Sequence, residues 1–183
     1  MALVRLYAVH KPRGVICSRV AEGNTTTVFE LLPEPFRGWF AVGRLDKDSE
    51  GLLLFADHSG VAQRLMDPGG AAKTYVVTVQ GLPSETALES IRRGGLVIDG
   101  KAVGSAEVRR LAKAPRGGTH LEVVLHEGRN RQIRRSFAEV GFKVRRLVRI
   151  GIGPVVLGAL PAGQGRELAP AEVDAMVGCL NPR

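Results

Sequence analysis

Cysteine is scarce in this chain of 183 residues, and its two copies, Cys17 and Cys179, stand far apart. Two distant cysteines form neither a disulfide framework nor a zinc site, and they suit a reducing compartment such as the cytoplasm. The four histidines show no metal-ligand spacing, and no G-x-G-x-x-G sequence marks a nucleotide loop. The sequence therefore predicts neither a bound metal nor a cofactor.

Long apolar runs are also missing. No segment approaches the length of a membrane-spanning helix, and the first apolar run ends at His10 and Lys11, too early for a signal peptide. We find no internal repeat and no low-complexity segment. With 44% apolar residues, the chain can bury a core as one domain over residues 1–183. We expect no membrane association, and no feature demands more than a monomer.

Acidic residues are the minority charge: 18 Asp and Glu stand against 26 Lys and Arg, a net charge of +8. This excess favours a polyanionic partner such as nucleic acid, although a generally basic protein would show the same total. Residues 127–149 hold seven Arg, one Lys and two Glu, and so carry +6 of that charge. Arginine suits bidentate phosphate contacts, so we interpret this segment as RNA-binding and not only as a solvated face.

A polar loop between two apolar runs is the other distinctive feature. Residues 39–42 and 52–55 are apolar, and between them lie five charged residues, Arg44, Asp46, Lys47, Asp48 and Glu50. Three interpretations compete: a solvated turn, a calcium loop of the EF-hand type, and a catalytic carboxylate. The calcium loop fits poorly, because its twelfth position holds Asp57 instead of Glu and an apolar run follows where further ligands are needed.

Periodicity and turn residues predict the remaining elements. We expect strands at residues 3–10, 15–18, 39–42, 52–55, 73–80, 96–98, 103–111, 119–126 and 142–150. We expect helices at residues 27–32, 58–67 with Asp57 as the cap, 84–93, before Gly141, and from Ala171. Residues 113–118 are predicted to form a flexible loop, because they contain two glycines and a proline.

Three motifs in this order resemble those of a known family. Gly43-Arg44-Leu45-Asp46, followed by Ser49 and Gly51-Leu52-Leu53, closely resembles the catalytic motif of pseudouridine synthases. The variant is similar to the RsuA/RluB/RluE/RluF group, which acts on ribosomal RNA uridines. Lys73-Thr74-Tyr75 resembles the second motif, and residues 128–135, Gly-Arg-Asn-Arg-Gln-Ile-Arg-Arg, resemble the third. The resemblance covers roughly residues 5–176.

The resemblance implies an α+β pseudouridine synthase fold. Its central sheet would be mixed and largely antiparallel, with flanking helices and two lobes around a basic cleft. By analogy, lobe one would comprise about residues 1–69 and 151–183, and lobe two about residues 70–150. Many members of the group carry an N-terminal S4-type RNA-binding domain. This chain starts at the catalytic core, as the RluE type does, so we expect an RluE-type enzyme without an S4 domain.

The resemblance also implies roles for single residues. Asp46 would be the nucleophile, Tyr75 would pack against the target base and assist proton transfer, and Arg134 would pair with Asp46. RNA or base contacts would come from Arg44, from Lys11 in an N-terminal Lys-Pro-x-Gly element, and from Arg129, Asn130, Arg131, Gln132, Arg135 and Leu147.

The expected reaction is isomerisation of a specific uridine to pseudouridine in ribosomal RNA, with the large-subunit (23S) RNA as the expected substrate. Neither metal nor cofactor takes part in that reaction. Two alternatives stay open: a synthase acting on transfer RNA, and a non-catalytic RNA-binding protein of ribosome assembly. The substrate could be naked RNA or a ribosome assembly intermediate.

Overall fold

The computed structural model describes residues 4–67 and 70–179. The chain folds into two compact units. Unit 1 comprises Met1–Ala71 and Arg149–Arg183, and unit 2 comprises Ala72–Val148. Within the described residues, no helix is long and apolar enough to cross a lipid bilayer.

The described elements are short helices and strands. The strands are β1 (Leu6–Lys11), β2 (Phe40–Val42), β3 (Glu50–Ala56), β4 (Lys73–Gln80), β5 (Val97–Ile98), β6 (Lys101–Ala102), β7 (Glu107–Ala114), β8 (Gly118–Leu125), β9 (Val144–Ile152), β10 (Val155–Val156) and β11 (Gly165–Glu167). The α-helices are α1 (Ser59–Met66), α2 (Glu85–Arg93), α3 (Gln132–Glu139) and α4 (Pro170–Gly178). Two 3₁₀ helices cover Val28–Leu31 and Glu34–Phe36.

Unit 1 is built around β1 and β3. These strands pair antiparallel from Leu6 opposite Ala56 to Lys11 opposite Gly51, and β11 and β2 extend the sheet on either side. Residues 52–56 are completely buried. One apolar cluster of this unit contains Tyr7, Val9, Val15, Val28, Leu32, Leu53 and Phe55. Such burial makes β3 a rigid support for the residues that precede it.

Unit 2 is built around β8, which pairs antiparallel with β4 and with β7. Alternate residues of β4 and β8 are buried, namely Tyr75, Val77 and Val79 on β4 and Leu121, Val123 and Leu125 on β8. The buried side chains of Ile91 on α2 and of Ile133 and Phe137 on α3 line one small cavity with Val123. Both helices therefore pack on this face of the sheet. Strand β9 begins in unit 2 and ends in unit 1.

The predicted fold class is confirmed: the chain is α+β, with a large, mostly antiparallel sheet. Two local predictions are wrong. Residues 15–18 form no strand, and only Ile16 makes an isolated bridge, with Thr27. Residues 113–118 form no flexible loop, because β7 continues to Ala114 and β8 begins at Gly118. Ala114 pairs with Gly118 across a three-residue hairpin turn, in which Arg116 and Gly117 have φ values of 57° and 67°.

Two element boundaries also differ from prediction. Residues 101–102 pair with 97–98 around a turn at Asp99 and Gly100, while the next strand starts only at Glu107. The N-cap position of α1 is His58 and not Asp57, and the His58 side chain makes no capping hydrogen bond. Asp57 instead accepts a hydrogen bond from the amide of Arg5 at 3.1 Å, so its carboxylate fixes the start of β1.

Candidate active site

The aspartate loop, residues 43–49, connects the antiparallel strands β2 and β3 of unit 1. Leu45 and Ser49 are buried, Arg44 is exposed, and Asp46 is half-buried. The amide of Ser49 donates a hydrogen bond to the carbonyl oxygen of Asp46 at 3.0 Å. Strand β3 begins at Glu50, where an EF-hand would continue its ligand loop. The loop is thus anchored by buried residues on both sides of Asp46, and Asp46 itself stays partly exposed to solvent.

Lys11 is the least expected feature of this loop. Its side chain has no exposed surface, and its ammonium group donates hydrogen bonds to the carbonyl oxygens of Ser49 at 2.8 Å and Pro12 at 3.0 Å. Burial lowers the pKa of Lys11, and the electrostatic influence of Cys17, Asp46 and Asp48, among others, opposes that shift. The prediction that Lys11 contacts RNA is therefore corrected, because a buried ammonium bonded to two carbonyls supports the loop from inside.

Residues 14–17 supply two further anchors for the aspartate loop. The amide of Gly14 donates to the carbonyl oxygen of Lys47 at 2.7 Å. The amide of Leu45 donates to the sulfur of Cys17 at 3.3 Å. The main chain of Ile16 instead bonds to Thr26 and Val28, so this segment makes a single bridge and no ladder.

Gly51, just after the aspartate loop, lies in close contact with the backbone of Arg149. Its φ is +111°, and a Cβ atom there would lie 2.2 Å from the carbonyl oxygen of Arg149. Only glycine fits such a position. The buried side chain of Arg149 adds a hydrogen bond from Nε to the carbonyl oxygen of Leu52 at 2.7 Å. Gly51 of the first motif is thus required for packing as well as for turning the chain.

In unit 2, Tyr75 lies near the start of β4, opposite Val123 of β8. Only 8% of Tyr75 is exposed, and it continues the buried row of Val77 and Val79. Leu147 on β9 is buried as well. The apolar character predicted for Leu147 agrees with its environment, while the catalytic role of Tyr75 stays a prediction.

A residue that the sequence interpretation missed organises the third motif. One carboxylate oxygen of Glu127 accepts hydrogen bonds from the amide of Gly104 at 2.7 Å and from the side-chain amide of Gln132 at 2.6 Å. The other oxygen pairs with Nε of Arg129 at 3.3 Å. The side-chain oxygen of Gln132 in turn accepts from the amide of Arg129 at 3.2 Å. An acidic residue at the start of so basic a segment is the signal that could have identified it.

Gln132 is 4% exposed and belongs to this network. The prediction that it contacts RNA is therefore corrected: its amide holds the arginine loop, residues 126–131, onto helix α3. Arg129, Asn130 and Arg131 of that loop are exposed, as an RNA-binding role requires. Arg131 adopts the left-handed conformation, with φ of 52°, at the start of α3.

The two predicted arginines on α3 differ in their environment. Arg134 is half-buried and donates from Nη1 to the carbonyl oxygen of Val144 at 3.3 Å. Arg135 forms an ion pair with Asp99 of the turn between β5 and β6. Unit 2 thus brings residues 129–132, 134 and 135 together on one loop and one helix, whereas unit 1 brings Lys11 to the aspartate loop.

The net charge is divided very unequally. Unit 1 carries 11 Lys and Arg against 11 Asp and Glu, whereas unit 2 carries 15 against seven. Unit 2 therefore accounts for the whole net charge of +8. An uneven distribution of this kind is typical of a protein that presents one basic surface to a polyanion.

Comparison with known proteins agrees with the geometry of both units. Ribosomal large subunit pseudouridine synthase B of Salmonella typhimurium is 37% identical over 180 residues, which cover 96% of this chain and 61% of the relative. The protein of the same name from Bacillus subtilis is 35% identical over 91% of this chain and 69% of its own length. The chain thus spans about three fifths of the Salmonella relative, and the predicted RluE type is not confirmed.

Solved structures give the same fold. A pseudouridylate synthase crystal structure superposes with a TM-score of 0.82 and 28% identity, covering 94% of this chain and 74% of that one. Human RNA pseudouridylate synthase domain containing 1 shares the fold alone, with a TM-score of 0.61 and 17% identity over 96% of this chain and 91% of its own. The profile of the RNA pseudouridylate synthase family matches residues 5–139. The chain belongs to the RNA pseudouridylate synthase family, within its RsuA/RluB group.

Proposed function

We propose that this protein isomerises a specific uridine of large-subunit ribosomal RNA to pseudouridine, with Asp46 as the nucleophile. The observation that carries the proposal is the aspartate loop, which combines the family's catalytic sequence with a half-buried Asp46 between two buried anchors, Leu45 and Ser49. Relatives named as large-subunit synthases support the choice of RNA. A fixed carboxylate that reaches solvent suits attack on a bound nucleotide.

The reaction is balanced without any added reactant. The N1–C1′ glycosidic bond breaks, the uracil turns, and a C5–C1′ bond forms; the proton leaves C5, and N1 ends protonated. Since a stacked base cannot reach a carboxylate, the uridine must first be flipped out, which costs a few kcal/mol. Arg44, exposed beside Asp46, is proposed to fill the vacated place or to grip the RNA backbone.

Two residues of unit 2 complete the proposed catalytic set. We assign Tyr75 to contact with the uracil and to removal of the C5 proton. We assign Arg134 to charge stabilisation of Asp46, because a nearby cation favours the ionised form of a carboxylate. Leu147 is proposed to line the base pocket. RNA backbone contacts would come from Arg129, Asn130, Arg131 and Arg135.

A non-catalytic RNA-binding protein is the second candidate, because the charge of unit 2 alone would serve it. Such a protein would have no use for the glycine-constrained aspartate loop of unit 1. We therefore favour the enzyme. A monomer in the cytoplasm, acting on ribosomal RNA or on a ribosome assembly intermediate, stays the prediction from the sequence.

The test is release of tritium from RNA labelled at uridine C5. Large-subunit ribosomal RNA, small-subunit RNA and transfer RNA are each incubated with wild type, Asp46→Asn and the matched control Asp48→Asn. We expect release from the large-subunit RNA only, a loss of at least about 1,000-fold in Asp46→Asn with RNA binding intact, and most of the activity in Asp48→Asn.

Other outcomes would contradict specific parts of the proposal. Equal losses in both variants would make Asp46 part of the loop's architecture and not the nucleophile. Release from transfer RNA alone would replace the substrate. Salt-sensitive binding by wild type without release from any of the three RNAs would favour the non-catalytic candidate.

A further inference from the structure

One end of the sheet in unit 2 is closed by main-chain hydrogen bonds between three segments. The turn between β7 and β8 meets the end of β4, where the amide of Gly81 donates to the carbonyl oxygen of Gly117 at 3.0 Å. The amide of Gln80 donates to the carbonyl oxygen of Lys143, just before β9, at 2.9 Å. These bonds fix the positions of side chains that the proposed reaction does not use.

Four basic residues project from these segments, and we call them the turn patch: Lys113, Arg116, Lys143 and Arg145. Three are exposed, and Arg145 is half-buried. Nη1 of Arg145 donates to the carbonyl oxygen of Arg116 at 3.2 Å, which ties β9 to the turn. The tight turn holds Arg116 at the tip of the hairpin, so its charge is presented from a rigid support.

The turn patch differs in its charge balance from those arginines of unit 2 that are paired with carboxylates. Arg92 and Arg93 pair with Glu89, Arg109 with Glu122, and Arg135 with Asp99. Across residues 4–67 and 70–179, no carboxylate forms an ion pair with any member of the turn patch. Uncompensated exposed cations attract polyanions most strongly.

The turn patch is separate from the arginine loop, whereas Arg134 of α3 reaches the carbonyl oxygen of Val144, between Lys143 and Arg145. The turn patch lies at the start of β8, at Gly118, whereas the arginine loop follows the end of β8, at Leu125. Eight residues of antiparallel strand span about 27 Å. Phe142 adds an aromatic ring beside the patch, since a Cβ atom at Gly81 would lie 3.7 Å from it. An aromatic ring next to cations is typical of surfaces that bind RNA.

We propose that the turn patch is a second RNA-binding surface, which contacts backbone phosphates of the substrate RNA away from the target uridine. The proposal rests on the proposed function for the identity of the RNA. Phosphate contacts fix the position of a protein on its nucleic acid without reading sequence. A second point of contact on the same unit would therefore orient the RNA relative to the arginine loop.

The test compares two double variants that each remove two positive charges from unit 2. Lys113→Gln with Lys143→Gln removes half of the turn patch, and the matched control, Arg93→Gln with Arg109→Gln, removes two exposed arginines that are paired with carboxylates. Binding to in vitro transcribed large-subunit ribosomal RNA is measured between 50 and 200 mM salt, about the range over which phosphate contacts are screened. Thermal unfolding checks that both variants fold.

We expect the turn-patch variant to bind about tenfold more weakly at low salt, with a log–log salt slope smaller by about 1.4, that is, about 0.7 for each lost contact. The control should change affinity less than about twofold, because its charges are already compensated. Equal weakening in both variants, or no weakening in either, overturns the proposal. Tritium release by wild type is measured in parallel, so a failure of the proposed function is seen independently of the binding comparison.

Discussion

At the scale of single residues, Lys11 shows how the N-terminal element supports the aspartate loop. We predict that Lys11→Met lowers the free energy of unfolding by about 3 kcal/mol, because it leaves two buried carbonyl oxygens without a donor and removes a cation from beside carboxylates. Urea denaturation measures the change. The control Lys47→Met replaces an exposed lysine of the same loop and should cost less than about 0.5 kcal/mol. A stable Lys11→Met with weakened RNA binding would restore the RNA contact first predicted for this residue.

The same residues show what sequence motifs can and cannot give. The motifs located the aspartate loop and the arginine loop, because both contain unusual residues at fixed spacing. They assigned Lys11 and Gln132 to RNA, since a lysine and a glutamine next to a motif give no sign of being buried. Glu127 was overlooked for a related reason. Its partners Gly104 and Gln132 are 23 and five residues away, and only folding brings them to one carboxylate.

At the scale of elements, periodicity predicted most strands and helices, and β4 was predicted with its observed bounds. The two wrong predictions concern segments whose conformation depends on hydrogen bonds and backbone angles that no local sequence pattern specifies. In residues 15–18, Ile16 makes one isolated bridge to the segment around Thr27 instead of a ladder. Residues 113–118 contain the glycines of a flexible loop, yet two left-handed residues in succession make a tight hairpin. Sequence alone does not distinguish these uses of glycine.

An ion pair between β11 and α4 gives a prediction for pH. Nη1 and Nη2 of Arg166 each donate to a carboxylate oxygen of Glu172 at 2.7 Å, and one of these oxygens also accepts from the amide of Ala169 at 3.0 Å. The Arg166 hydrogen bonds lower the pKa of Glu172 from 4.5 to about 2. Because the folded state keeps this carboxylate ionised where the unfolded chain would protonate it, the stabilisation is complete above pH 4.5 and is lost as pH falls towards 2.

Glu172→Gln should therefore lower the free energy of unfolding by about 1 kcal/mol at neutral pH, a value limited by the partial exposure of the pair. The difference from wild type should shrink as the pH falls from 4.5 towards 2. Chemical denaturation across this range measures it. Asp174→Asn, on the exposed face of the same helix, should show little difference at any pH. A constant difference for Glu172→Gln would mean that packing, and not charge, joins β11 to α4.

At the scale of the whole molecule, the two units differ in net charge. Unit 1 is neutral and supplies the aspartate loop, while unit 2 carries the entire excess of +8. The sequence predicted a basic segment at residues 127–149. It did not show that the basic residues of β7 and of its turn belong to the same unit, because that follows from the pairing of β7 with β8. If unit 2 supplies the RNA contacts, binding should depend on where a charge is removed and not only on how many are removed.

We therefore predict different effects from two double variants with the same net charge. Arg129→Gln with Arg131→Gln, in unit 2, should reduce the log–log salt slope of RNA binding by about 1.4, because two phosphate contacts are lost. Arg5→Gln with Arg37→Gln, in unit 1, removes arginines paired with Glu167 and Glu34, as Arg129 is paired with Glu127, and should leave the slope unchanged because neither is assigned to RNA. Titration of large-subunit ribosomal RNA at several salt concentrations gives both slopes. Equal reductions would mean that the RNA responds to the net charge of the molecule, and the assignment of binding to unit 2 would fail.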